Sequence, residues 1–558
     1  MLWSGWGDPE RAAPLPEAVA GLLRDLLGVR PPPGGGGTRG PAEPAEIAVP
    51  ASRLSGDCLA ALAAAAGGAD HVRVDAEARI RHTRGKSTPD LLRIRAGDVS
   101  DAPDAVVLPG SHEEVLAVLG ACAEHRVAVV PFGGGTSVVG GLTPRPGPAA
   151  PAAFVALDLR RMDALVSVDP VSRTAVLQPG LRAPRAERLL RERGFTLGHF
   201  PQSFEWATVG GFAAARSSGQ ASAGYGRFDD MVTGLTVATP EGELDLGRAP
   251  KSAAGPDLRQ LVLGSEGAFG VITSVTVRIR PVPESSAYEG WRFPSFATGT
   301  AALRALAQDG PLPAVLRLSD ETETLVGLAD PSAAGTAIAG DAGASGTSGC
   351  LAVLGFEGTP GEIEARRDAA GAVLRAPGGE PLGAGPGEKW AHGRFDAPYL
   401  RDALLDAGAF AETLETATFW SGVPELYAAV RETLIRELAG AGTPPLVMCH
   451  ISHVYPAGAS LYFTVVSAQG GQGTEKGRGD AAADAVAHWE KAKHAVNDAI
   501  LGAGGTISHH HGVGTDHRDW YAREIGPLGT ELVRAIKHRL DPYGILNPGV
   551  LVAPLTQE

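Results

Sequence analysis

The sequence predicts an α+β fold in more than one domain, and three observations carry that prediction. The chain has 558 residues, which at ~100–200 residues per domain means about two to four domains with ample material for large cores. Segments with apolar residues at helical spacing alternate with short β-rich runs. Three glycine-rich turns fall within one stretch of the chain, each beside such a run.

The elements follow in order. The opening "MLWSGWGDPERAA" lacks the basic and apolar regions of a secretory signal, and "PPPGGGG" (Pro31–Gly37) reads as a linker. From Pro109 the texture changes. "SHEEVLAVLGACAEHR" (111–126) starts on serine and repeats apolar residues at helical spacing, so it predicts a helix. "VAVVPF" (127–132) predicts a short strand running into a glycine cluster. "FVALDL" (154–159) and "TAVLQPG" (174–180) predict strands, and "APRAERLLRERG" (183–194) a helix stopped by glycine. "VTGLTVATPEGEL" (232–244) predicts a hairpin around Pro-Glu-Gly. "VITSVTVRIRPVP" (271–283) alternates and ends at prolines, as a strand should. Up to about residue 500 a helix ("TGTAALRALAQDG", 298–310) mixes with strands ("CLAVLGFEG", 350–358; "SLYFTVVSA", 460–468). Two low-complexity stretches, 330–349 and 467–480, are expected to be mobile loops. The tail holds "ISHHHGVG" (Ile507–Gly514), a predicted helix "LGTELVRAIKHRLDP" (528–542) and "GILNPGVL" (544–551).

Bulk chemistry narrows the function classes. A net charge of −14 argues against nucleic acid as a partner, because phosphate backbones want a basic surface. It leaves room for a small anion held by a few arginines. Cys58, Cys122, Cys350 and Cys449 are far apart and form no CxxC, so neither a zinc site nor a disulfide framework is predicted. Reduced thiols in a cytoplasmic protein are expected. No apolar run reaches the ~18 residues of a membrane-spanning helix.

The glycine turns suggest a cofactor. "PFGGGTSVVGG" (Pro131–Gly141) follows a strand, lets backbone N–H groups approach an anion, and adds the hydroxyls of Thr136 and Ser137. It is not G-x-G-x-x-G before a helix, so a Rossmann site is not predicted. "PQSFEWATVGGFAAARSSG" (Pro201–Gly219) and "GSEGAFGVIT" (Gly264–Thr273) supply two more turns, and the set suits a long dinucleotide with a pyrophosphate. Gly85-Lys86-Ser87 imitates the end of a Walker A, but the first glycine of that motif would fall at Ile80, so nucleotide hydrolysis is excluded.

"PFGGGTS", "TVGGF", "GSEGAFGVITSVTVRIRPVPE" and "GILNPG" together resemble the vanillyl-alcohol oxidase / p-cresol methylhydroxylase flavoproteins, from about Pro109 to the tail. The resemblance implies an α+β architecture with a two-subdomain PCMH-type FAD-binding domain at 101–284 and an inserted α+β cap domain at 285–500. It further implies a helical C-terminal segment at 501–558 that carries the triplet back to the FAD domain. Residues 1–100 are expected to be a helical and loop segment packed on the FAD domain. The FAD contacts it implies are Pro131, Phe132, Gly133, Gly134, Gly135, Thr136, Ser137, Gln202, Ser203, Thr208, Gly210, Arg216, Ser218, Glu266, Gly267, Gly270, Val271 and Ile272. Some members attach flavin to a histidine or cysteine of the first glycine loop. Neither is present here, so FAD is expected to be non-covalent.

Within that group two families compete. The D-2-hydroxy-acid dehydrogenases carry H-x-x-D-G-N-x-H, but "HISHVYPAGASLYFTVV" (His450–Val466) lacks the DGN and the last histidine. His450 and His453 without a carboxylate partner make a poor metal site, and no metal is predicted. The stretch resembles the alkyldihydroxyacetonephosphate synthase family far better. The matching features are Tyr462 in "AGASLYF", His509, His510 and His511 in "SHHHGVG", Arg401 in "YLRD", His199 in "LGHFPQS", Arg317 in "LRLSD", and "LWSGWGD" near the start. That family exchanges the acyl group of acyl-dihydroxyacetone phosphate for a fatty alcohol, with flavin N5 thought to hold the three-carbon fragment between the two halves. The resemblance makes Tyr462 the acid/base, with neighbours lowering its pKa. His510 and His511 would donate to the enolate oxygen or assist departure of the carboxylate, and Arg401 and Arg317 would hold phosphate or carboxylate. Read alone, Arg401 would instead pair with a carboxylate and Tyr462 would be core. The expected partner is a small lipid-like phosphate, with a homodimer and peripheral membrane contact. The alternative function is an FAD-linked oxidase or dehydrogenase of a 2-hydroxy acid or alcohol.

Overall fold

The computed structural model describes residues 1–29, 46–147, 151–327, 349–470 and 478–553. The linker at Pro31–Gly37 lies outside the described residues, as do residues 330–348 and 471–477 of the two low-complexity stretches. The chain divides into two compact units. The first comprises Met1–Pro41, Gly219–Gly226 and Pro283–His509; the second comprises Ala42–Ser218, Arg227–Val282 and His510–Glu558.

Among its described residues the second unit opens with β1 (Val72–Arg73), β2 (Ala105–Val107), β3 (Ala128–Phe132) and β4 (Phe154–Asp158), a sheet in the order β1-β2-β4-β3. β4 runs parallel to both β2 and β3. These strands are almost continuously buried, which is why they read as unbroken apolar runs. The helix His112–Glu124 covers the sheet with Val115, Val118, Leu119 and Cys122, and Ser111 caps its start by accepting from Glu114 N at 3.2 Å. The tail returns to the same sheet: Leu546 bridges Val129 in parallel, with Val129 N donating to Ile545 O.

The next strands are β5 (Leu165–Asp169), β6 (Thr174–Leu177), β7 (Phe195–Thr196), β8 (Val232–Thr239), β9 (Gly242–Leu246), β10 (Val271–Arg278) and β11 (Arg280–Pro281). Five of them form an antiparallel sheet in the order β5-β6-β10-β8-β9, with β8 and β9 as the predicted hairpin. The single strand expected over 271–283 is broken. β10 ends at Arg278, and β11 leaves the sheet to pair with β7, where Pro281 sits opposite Phe195 in a two-stranded ribbon. Proline lacks a ladder donor, so it is tolerated at such an edge.

The first unit is built on one antiparallel sheet: β12 (Ser285–Phe293), β13 (Val315–Ser319), β14 (Cys350–Gly358), β15 (Glu380–Gly383), β16 (Ala409–Phe419), β17 (Leu446–Val454) and β18 (Gly458–Ala468). Among the described residues the order is β15-β12-β14-β13-β17-β18-β16.

Two boundaries depart from the sequence expectation. Residues 1–29 belong to the first unit and not to the second. The helix Glu17–Leu27 places Val19, Leu23 and Leu27 on one face, against Leu404, Ala409, Ala411, Met448 and Val466 of the first unit. Trp6 N also donates to Asp402 Oδ2 at 2.5 Å. An apolar stripe announces a helix but not the partner that buries it. The C-terminal boundary falls between His509 and His510 rather than at 501, because Thr506 bridges Ala417 of β16 and keeps the preceding residues with the first unit. The predicted helix 528–542 is the distal part of Arg518–Leu540, which is interrupted where Gly526 takes φ 72° before Pro527. No helix among the described residues is long and apolar enough to cross a membrane.

Candidate active site

In the second unit the glycine loop after β3 is pressed against its neighbours. A Cβ at Gly133 would lie 2.4 Å from Thr208 Oγ1, and one at Gly134 would lie 2.2 Å from the Trp206 carbonyl oxygen. Thr208 in turn caps the helix Val209–Ala215, accepting from Gly211 N at 3.3 Å, and Gly210 has no room for a Cβ beside Pro179. Arg216 ends that helix at φ 49° and donates to the carbonyls of Leu263 and Gln260 at 2.9 and 2.7 Å. The three turns named from sequence are therefore in mutual contact. The turn at Glu266 and Gly267, both with positive φ, packs on Pro131, and Gly270 leads directly into Val271 and Ile272 of β10.

Residues that sequence reasoning missed complete this cradle. Asn547 of "GILNPG" donates from Nδ2 to Gly141 O at 2.9 Å and to Glu266 O at 2.7 Å. Lys86 N donates to Ser137 O at 2.7 Å, so the false Walker segment braces the loop. Among the described residues, Gln202 Nε2, Ser218 Oγ, Trp206 Nε1 and Asn547 Oδ1 are buried without a hydrogen-bond partner. Unpaired buried polar atoms are costly, and such a set beside a glycine loop fits a long polar cofactor that supplies their partners. Gly134→Ala is expected to purify with little flavin, read as the ratio of visible flavin absorbance to protein absorbance. Full flavin content would contradict the close-approach role of this loop.

Glu266 does more than line the turn. Its Oε2 accepts from Val513 N and Gly514 N, both at 2.8 Å, and so straps the chain just past the histidine triplet. Burial pushes its carboxyl up to about 7 against those two N–H donors. His510 and His511 meet edge-on with ring centroids 4.7 Å apart. His199 is buried between Phe212 and Phe228, and its Nε2 lies 3.1 Å from Ser217 Oγ.

In the first unit the sheet register builds a polar row. Ser319 on β13 faces His450 on β17, His450 faces Tyr462 on β18, and Tyr462 faces Glu415 on β16. Directly opposed residues share a face, and Arg317, two residues from Ser319, shares it too. The His450 and Tyr462 rings stack with centroids 4.9 Å apart. Glu323, from the helix Glu321–Val326, accepts from Arg317 Nη2 at 2.6 Å, and its Oε2 lies 3.1 Å from His450 Nδ1. Burial opposes the Glu323 charge, yet His450 and Arg317 outweigh it and hold the carboxyl at about 2. Burial and the Arg317 charge push His450 below its usual range. Arg317 Nε is buried with no partner among the described residues.

Three sequence expectations change. Tyr462 does not have a lowered pKa. Burial pushes its phenol up to about 12, with Glu412 and Glu415 adding to the rise and the Thr413 hydrogen bond and Arg317 opposing it. His450 does have a carboxylate partner, Glu323, brought from a helix that no local pattern linked to it. Arg401, on the helix Ala397–Asp406, is paired with the adjacent Asp402, its Nη2 lying 3.2 Å from Oδ1.

The triplet's first member is held within the first unit. Ser508 Oγ donates to Glu415 Oε1 and His509 N to Glu415 Oε2, both at 2.7 Å. His509 Nε2 lies 2.6 Å from Tyr455 Oη, and its ring lies 5.0 Å from that of His453. Glu415, Tyr455 and Glu323 were all missed from sequence. The only signal for Glu415 was a pair of charged residues, Glu412 and Glu415, interrupting an apolar and hydroxyl-rich strand.

Known proteins resemble this chain over most of its length. The FAD binding domain family model matches residues 103–246, and the model for FAD linked oxidases, C-terminal domain, matches residues 282–551. An alkyldihydroxyacetonephosphate synthase of Dictyostelium discoideum is 34% identical over 507 residues, covering 88% of this chain and 80% of its own length. One of Trypanosoma brucei brucei is 35% identical over 494 residues, covering 87% and 78%. A solved structure of an alkyldihydroxyacetonephosphate synthase superimposes with a TM-score of 0.78 at 29% identity, over 98% of each chain.

Proposed function

We propose that this chain, which belongs to the alkyldihydroxyacetonephosphate synthase family of FAD flavoproteins, exchanges the acyl group of an acyl-dihydroxyacetone phosphate for a fatty alcohol. The observation that carries the reading is the meeting of the phenol and the triplet's first residue on one carboxylate: Glu415 lies opposite Tyr462 in the sheet and binds the His509 backbone. Tyr462 and the histidines are the groups this chemistry needs beside a ketone substrate, and no local pattern places them together.

FAD would be held non-covalently by Pro131–Ser137, Gln202, Ser203, Thr208, Gly210, Arg216, Ser218 and Glu266–Ile272, and would supply the electrophilic chemistry of the exchange. The chain's own residues move protons and hold charge. Tyr462 enters as a neutral phenol, because its pKa lies far above neutrality, and acts as the proton donor and hydrogen-bond donor to the developing enolate oxygen. His509, His510 and His511 accept the proton taken from the carbon beside the ketone and later from the incoming alcohol, and return one as the product forms. One C–O bond to the fatty acid breaks and one to the alcohol forms; the acid leaves as carboxylate, and there is no net oxidation. Arg317, whose Nε–H has no partner among the described residues, takes phosphate or leaving carboxylate while Glu323 and His450 engage its Nη atoms. Arg401 is the second cation of the substrate pocket, and His199 orders the Ser217–Ser218 turn on the cofactor side. The proposal extends to ether-lipid synthesis by a cytoplasmic homodimer touching a membrane peripherally, since both organic substrates are lipids.

The test is direct. Purified flavoprotein given acyl-dihydroxyacetone phosphate and a labelled fatty alcohol is expected to release fatty acid in step with the alkylated product. Protein with intact FAD that performs no such exchange contradicts the reading.

A further inference from the structure

We propose that Glu415 is a positioning residue for this reaction: its buried carboxylate seats the histidine segment beside Tyr462. The inference rests on the transferase reading for its effect on turnover.

Glu415 is 3% exposed on β16. A charge taken that far from water is costly unless it is hydrogen-bonded. Both of its oxygens are committed to adjacent residues: Oε1 to the Ser508 hydroxyl and Oε2 to the His509 N–H, each at 2.7 Å. That segment has no ladder of its own. After the bridge between Thr506 and Ala417, the residues from Ile507 to Val513 are bends and irregular chain. Glu415 supplies two of the hydrogen bonds that hold that segment. Glu415 is fixed in turn by its strand, where it lies directly opposite Tyr462. One carboxylate thus sets the distance between the phenol and the first histidine, whose ring is then oriented by Tyr455 Oη at 2.6 Å. Glu266 holds the far side of the triplet through Val513 N and Gly514 N. A displacement of ~1 Å at a reacting constellation costs on the order of 10²-fold in rate.

Glu415→Ala is expected to lower kcat by roughly 10–10²-fold, with KM and flavin content within about a factor of three of wild type. Glu415→Gln keeps an acceptor for the His509 N–H and an amide for the Ser508 hydroxyl, so it is expected to recover about tenfold of a 10²-fold loss. Hydrogen–deuterium exchange of the peptide spanning 505–512 reads the seat without turnover. It is expected to quicken in Glu415→Ala and to stay near wild type in Glu415→Gln. Should Glu415→Ala fail to fold, Ser508→Ala removes one of the two bonds, and a smaller fall in kcat with faster exchange is expected. Wild-type kcat with wild-type exchange in the alanine variants overturns the proposal, as does an equal loss in Gln and Ala, which would assign the effect to charge rather than seating. A wild-type protein that performs no acyl exchange sinks the transferase reading instead, and the exchange-labelling arm still decides whether Glu415 seats the segment.

Discussion

Tyr462→Phe is expected to give a folded, yellow protein with turnover reduced by about 10²–10⁴-fold, the usual worth of one positioned proton-transfer group. The substitution removes one oxygen and leaves the ring that stacks on His450 with centroids 4.9 Å apart. The loss is therefore of chemistry rather than packing. Flavin content is expected to be unchanged, because the turns that cradle the cofactor are assembled from the second unit's own residues. The raised phenol pKa, about 12, carries a second expectation. Wild-type turnover is not expected to show an alkaline limb from Tyr462 between pH 7 and pH 10, since the group stays protonated throughout that window. Undiminished turnover in the phenylalanine variant would remove Tyr462 from the mechanism.

Arg317→Ala is expected to cost stability as well as activity. Arg317 Nη2 donates to Glu323 Oε1 at 2.6 Å, and the Glu323 side chain is 4% exposed. Removing the arginine strands a buried carboxylate, which typically costs about 3–5 kcal/mol. The pH dependence has a definite sign. In wild type the Glu323 carboxyl sits at about 2, below its ordinary 4.5, so its contribution is present above 4.5 and is lost as pH falls through about 2. Without Arg317 the carboxyl climbs and Glu323 takes up a proton on mild acidification. The deficit of the variant is then largest near neutrality and shrinks toward pH 4. Urea unfolding at the two pH values measures it. Arg317→Ala combined with Glu323→Gln is expected to recover part of the loss, because no buried charge remains. Equal stability of Arg317→Ala and wild type at neutral pH would show that the cluster carries no such coupling.

The glycine turns were legible because a missing side chain is a local fact. Gly134 leaves room for the carbonyl of Trp206, and an alanine there forces the loop or that backbone to shift. The strands β3 and β4 and the hairpin of β8 and β9 were legible for a similar reason, since run length and turn residues are written consecutively; the parallel pairing of β3 with β4 was not. Tyr462 and the triplet became site candidates only through resemblance, because a tyrosine in an alternating strand looks like core. The partners were not legible at all. Glu415 and Glu323 reach Ser508 and His450 across 93 and 127 residues of chain, and no pattern in a window finds them. The phenol's pKa went the wrong way in sequence reasoning because burial is tertiary. The nearby cations were counted, but the desolvation that outweighs them was not. The N-terminal helix failed for the converse reason: its stripe was readable, but the face that covers it is assembled from residues 404 to 466.

If the proposed exchange is right, this flavoprotein replaces one oxygen substituent by another without net oxidation. An anaerobic flavin spectrum tests it most directly. With acyl-dihydroxyacetone phosphate and fatty alcohol together, product is expected to accumulate while the flavin returns to its oxidised spectrum. Lasting bleaching of the flavin by a 2-hydroxy acid or an alcohol, with no exchange of acyl for alkyl groups, would contradict the account and make the protein an oxidoreductase.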